Sequence, residues 1–222
     1  MASTRIPWPR VLAEGVVIVF SILLAFGIDA WWGNRQEEAR QVSALANLQS
    51  ALARSLDEIA VEQQDLRNSR RLLASFTSRD PESLQDVPRD SVPAYWGAVQ
   101  RPIVDDLGTE VVSEMLAGGD LVGLDDAVWH SSVADWRDAR QDLRQRHESL
   151  YEIERLFWLA MGRAELKVDS LGTDLSGARR DAEVMALMSA KLEHWRVLEY
   201  LIGRVHADSE ALMAEAQTRV RR

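Results

Sequence analysis

No cysteine occurs anywhere in the 222 residues. That excludes a disulfide framework, a thiolate zinc site and a cysteine nucleophile. It leaves the redox compartment open, since a chain without thiols suits either. Proline and glycine are scarce, 6 and 12 residues, against about 5% and 7% in an average chain. A chain so poor in helix breakers favours long helices. Net positive charge is lacking as well: 26 Lys and Arg face 35 Asp and Glu, a balance of -9. Such a balance argues against a nucleic-acid partner, whose phosphates call for a basic face. What is present is 46% hydrophobic residues, too many for a disordered chain, in a length that allows one domain plus an appended segment.

The breakers fall unevenly. Prolines stand at 7, 9, 81, 88, 93 and 102, and residues 34–80, 124–161 and 178–202 contain neither proline nor glycine. Three long helices follow, since helix interiors exclude proline strongly and glycine moderately. Asp125 is placed to open the second, Gly162 to close it, and Ser176 or Asp181 to open the third.

Residues 15–28, GVVIVFSILLAFGI, form an uncharged apolar run of 14, short of the ~20 needed to cross a bilayer. Its flanks extend it. Trp8 precedes it and Trp31 and Trp32 follow, a span of about 34 Å on a helix, which suits two interfacial aromatic belts. Glu14 and Asp29 then lie near the hydrocarbon boundaries, and Arg10, one turn before Glu14, can pair with it while both reach outwards. A cleaved signal peptide is the first rival reading, with Ala25-Phe26-Gly27 as a passable cleavage site. Against it, Glu14 interrupts the start of the apolar segment. A buried helix of a soluble domain is the second. The lipid bilayer is the expected partner of residues 11–32. Basic residues Arg5 and Arg10 before the span tilt the orientation towards a cytoplasmic N-terminus, residues 1–10, and a periplasmic bulk at a bacterial inner membrane. Glu14, Ser21, Ala25 and Asp29 share one helix face, where small and polar residues favour contact with a second copy or another membrane protein.

Beyond Trp32 the apolar residues repeat by sevens: Leu45, Leu52, Ile59, Leu66 and Leu73; then Trp129, Trp136, Leu143, Leu150 and Phe157. In the last helix Met188, Trp195, Leu198, Ile202, Val205 and Leu212 recur at sevens, threes and fours. This is the pattern of a coiled coil or bundle. The expected fold is all-α: a transmembrane helix, bent near Gly33-Asn34, continues into an antiparallel bundle of three long helices, 33–76, 125–162 and 178–222. Residues 77–124 form a cap at the end away from the membrane, with a short helix over 109–117, and the loop 163–177 returns near the bilayer.

The search for chemistry finds little. His130, His147, His194 and His206 have no acid three residues before them, so the ligand pair of di-iron bundles is absent, and each reads as a surface or bundle-edge residue. No phosphate loop, zinc-protease pattern or nucleophilic triad is spaced here. No catalytic residue, cofactor or metal is therefore expected, and the chain reads as a non-enzyme. Residues 80–126 carry eleven acids against Arg89 and Arg101, which accounts for the whole net charge. Asp105, Asp106, Asp120, Asp125 and Asp126 are the candidate docking residues for a basic partner. The alternative is a solvated loop with helix caps.

The N-terminal apolar helix with Glu14 at its start and Asp29-Ala30-Trp31-Trp32 at its end resembles a widespread family of uncharacterised bacterial single-pass membrane proteins. Leu116-Ala117-Gly118-Gly119-Asp120-Leu121 followed by Asp125 is similar to a segment typical of that family, and the helix after Asp181 fits too. The chain departs from it with Gly118 where many members have Ser and Trp136 where Tyr is common. The resemblance implies topology and no catalytic residue. The reading is a membrane-anchored module for partner binding or self-association, with a periplasmic sensory or ligand-binding bundle as its alternative. The lack of a second apolar run after residue 32 counts against that alternative.

Overall fold

The computed structural model describes residues 8–80, 91–101, 107–121, 124, 126–164, 168–169, 172–173 and 175–221. Six helices make up nearly all of it. Helix α1 runs from Trp8 to Ser78, 71 residues; Pro9 stands in its first turn, where proline costs no helical bond, no proline follows within the helix, and it ends just before Pro81. It passes Gly33-Asn34 unbroken, so the apolar N-terminal segment and the first bundle helix are one element. Helix α2, Val92–Val99, carries Pro93 in its first turn, where a missing N–H costs no helical bond. Helix α3, Thr109–Ala117, has the predicted bounds. It starts after Gly108, whose φ of 69° is left-handed, and is followed by a 3-10 turn at Gly119–Leu121.

Helix α4, Ala127–Arg163, is capped by Asp126, one residue beyond the expected Asp125; its carboxylate accepts from the Val128 N–H at 2.7 Å. Asp181 caps α6, Ala182–Val220, in the same way from Val184. Residues 163–177 hold more than a loop. Val168–Asp169 pairs antiparallel with Gly172–Thr173, and α5 covers Leu175–Arg180.

The contacts fix the directions of the rods. Along α4 and α6, Asp126 meets Arg219, Trp136 meets Ser209, Asp142 meets Arg204 and Glu154 meets Lys191, so the two run antiparallel. Against α1, Glu199 binds Arg67 and Arg70, and Gly203 faces Gln63, so α6 is antiparallel to α1 as well. Hence α1 and α4 are parallel to each other, which corrects the expected alternation of the three helices.

The element that runs back is the connection. Tyr95 stacks near Phe76, Arg101 binds Glu62, and Ser55 bonds the Leu107 carbonyl, while Leu116 and Leu121 share a cluster with Leu45–Leu52. Residues 77–124 are therefore not a cap on the far end. Their described parts descend beside α1 as an interrupted second leg, and α5, with Arg179 donating to the Arg79 carbonyl, sits at the end of α1 away from the apolar segment, which corrects the expected return of 163–177 to the bilayer side. Heptads reveal which face is buried but not the partner's direction, and a connection this long can return along the whole bundle.

The core is two apolar clusters. One joins Ile59, Leu66 and Leu73 to Leu150, Phe157, Met188 and Trp195. The other, nearer the apolar segment, joins Leu45–Leu52 to Trp129, Trp136, Leu212 and Ala216.

Candidate functional site

Helix α1 has two unlike halves. From Leu45 onward its heptad leucines are core, whereas between Val16 and Ile28 every large apolar side chain is 49–67% exposed. It is one helix long and apolar enough to cross a membrane, by length and composition. Trp31 and Trp32 are exposed and lean on one another with ring centroids 6.4 Å apart, and the Arg35 guanidinium lies 5.2 Å over Trp31. Ser21, Ala25 and Asp29 are exposed on one face, and Ser21 turns its hydroxyl back to the Val17 carbonyl at 2.8 Å. Trp8, Arg10 and Glu14 belong to α1, but their side chains lie outside the described residues.

Within the bundle, polar residues occupy core positions of the heptads. The α6 seam reads Val184, Met188, Lys191, Trp195, Leu198, Ile202, Val205, Ser209, Leu212 and Ala216, all buried. Lys191 is 3% exposed. Its ammonium donates to Glu154 Oε1 at 2.7 Å and to the Val99 carbonyl at 2.6 Å, and sits 5.1 Å over the Trp195 ring. Burial holds its pKa down against the opposing effect of Glu154.

Ser55, a core position of α1, donates to the Leu107 carbonyl at 2.6 Å, and Arg137 of α4 donates to the Leu116 carbonyl at 3.0 Å. Each long rod thus supplies one donor to a carbonyl of the second leg. Those of Val99 and Leu116 belong to the last turns of α2 and α3, where intrahelical partners run out. A reading of apolar repeats alone passes over these residues. For Ser55 and Lys191 the signal was a polar residue standing at a seam position.

His147 is the clearest departure from the expected surface histidines. It is 5% exposed and lies on the buried face of α4 between Leu143 and Leu150. His194 is half-buried, and burial together with Arg146 pushes its pKa down.

The acidic stretch is partly engaged internally. Glu110 pairs with Arg140, which also reaches Thr109 and Ser113. Asp126, besides capping α4, binds Arg219 at 2.8 Å, and that guanidinium lies 5.4 Å over Trp129. A carboxylate with both tasks is a poor candidate for docking. Asp105, Asp106 and Asp125, and the side chain of Asp120, lie outside the described residues. A half-open cavity of about 440 Å³ separates the start of α3 from α4, with Leu107 and Leu143 as its floor and Arg144 and Glu148 at its rim. Arg144 and Glu148 approach each other to 3.8 Å.

Among the described residues, no three His, Asp or Glu side chains converge to hold a metal ion. No family model, curated protein or solved structure matches the chain.

Proposed function

We propose that this chain is a non-enzymatic, single-pass membrane protein whose helical bundle binds a protein partner or associates with itself. The observation that carries the reading is the contrast within α1. Its later heptads form the core, while residues 16–32 present a continuous apolar surface that no other described residue covers. A water-soluble surface seldom carries an apolar patch beyond a few hundred Å², and lipid is the solvent that suits such a helix. The tryptophan pair at one end and Arg35 beside it match an interfacial boundary. The slight basic bias before the span supports a cytoplasmic N-terminus, and the resemblance to bacterial single-pass proteins supports an inner-membrane setting with a periplasmic bundle.

In fractionated cells the protein should resist extraction by high salt and by alkaline carbonate and enter solution only with detergent. Release by carbonate alone would remove the anchor. For the orientation, a reporter enzyme that works only outside the cytoplasm, fused after Arg222, should be active; activity from a cytoplasm-dependent reporter instead would invert the topology.

The second reading, a sensory or ligand-binding bundle, is favoured by the cavity between α3 and α4, whose volume falls in the range of small-molecule sites. Arg140 in its wall is engaged by Glu110, Thr109 and Ser113.

A further inference from the structure

Helices α1 and α4 flank α6 and run parallel to each other, so a bundle of these three rods leaves a channel between α1 and α4. Helices α2 and α3 fill it. Tyr95, Trp96, Val99 and Leu107 join the core beside Ile59, Leu143 and Leu150, and Val112 and Leu116 join the cluster beside Leu52 and Trp136. We propose that α2 and α3 are a releasable cover over this channel, seated on a frame of α1, α4 and α6 that holds together without them.

The two kinds of contact differ in build. The frame is joined by a heptad seam unbroken from Val184 to Ala216 on α6. The cover consists of helices of 8 and 9 residues, each too short to persist in water unless docked. Besides the apolar side chains it lays in the channel, it is held to the rods by single side-chain tethers. Lys191 takes the Val99 carbonyl, Ser55 that of Leu107 and Arg137 that of Leu116; Glu62 takes Arg101 at 2.6 Å, and Glu110 pairs with Arg140.

Charge is complementary along both edges of the channel, with Glu62 and Asp65 on the α1 side and Arg137 and Arg140 on the α4 side. A unit with short helices and side-chain tethers is the first to open in native-state fluctuations, while long rods sharing a continuous seam open last. Opening uncovers the apolar channel between α1 and α4 and leaves the frame standing. The inference does not depend on whether residues 16–32 enter a bilayer.

Hydrogen–deuterium exchange of the full chain in detergent micelles tests it. Amides of 95–99 and 112–117 should exchange at least about 10-fold faster than those of 59–73 and 195–212. Lys191→Met, which leaves the Val99 carbonyl without its charged donor, should speed α2 by a further 10- to 100-fold or so and leave 195–212 unchanged. Ser55→Ala removes a single hydroxyl and should act in the same way on the start of α3. It keeps the test decisive if the lysine variant does not fold. Equal exchange of cover and frame in the parent chain would overturn the proposal. So would a variant that accelerates α6 as much as α2.

Discussion

A lysine in a heptad core position is costly, because its charge is taken out of water. Lys191 is tolerated because three features meet its ammonium: the Glu154 carboxylate, the end carbonyl of α2 and the face of Trp195. Asp126 illustrates the opposite case of a charge that favours folding. The Val128 N–H, and after it Arg219, hold its carboxyl below the ordinary 3.8. A carboxyl whose pKa is lowered on folding adds stability above its unfolded value, and that stability is lost as pH falls through the folded value. Asp126→Asn should therefore melt lower than the parent at neutral pH, and the gap should close in melts run below about pH 4. A gap that persists in acid would mean that the side chain acts through packing rather than charge.

At the scale of elements, the clearest test of the inner packing is Trp136. It is fully buried, and its indole N–H donates to Ser209, itself a core position of α6, at 3.0 Å. Trp136→Ala should cost about 3–5 kcal/mol, read from denaturant or thermal unfolding. An unchanged midpoint would show that the α4–α6 seam is not the core. The existence of these helices was legible in the sequence because long blocks of each, 34–80, 124–161 and 178–202, lack both proline and glycine, and heptad leucines and tryptophans mark their buried faces. The short helix 109–117 was legible from Val111, Met115 and Leu116 on one side and from the Gly118-Gly119 pair that closes it. Helix α2 was not, because Pro93 looked like a breaker when it stands in the one turn that accepts proline. Ser55, His147, Lys191 and Ser209 were also hidden. Their positions follow the repeat, but their chemistry does not; the Leu107 carbonyl accounts for Ser55, the Val99 carbonyl and Glu154 for Lys191, and the Trp136 indole for Ser209.

For the molecule as a whole, the parallel course of α1 and α4 brings the last turn of α6 back beside the first bundle turns of α1. Arg219 shares a recess with Glu38, Gln41, Val42 and Leu45. The absence of native cysteine makes this easy to check. A chain carrying Glu38→Cys and Arg219→Cys should crosslink readily with a short thiol reagent, whereas Glu38→Cys with Arg163→Cys should not. The reverse pattern would restore a cap at the far end. Helix α1 itself has a mechanical consequence. It has no break from Trp8 to Ser78, and the 46 residues between Trp32 and Ser78 span about 69 Å at 1.5 Å each. Membrane helices tilt by about 20° on average and adjust to bilayer thickness. In the anchored state proposed above, a tilt of that size carries the far end of α1 sideways by about 24 Å. A change in lipid thickness too small to notice at the anchor thus becomes a wide lateral sweep at the tip. Anchored in that way, the protein would act as a lever arm with its fulcrum at the tryptophan pair.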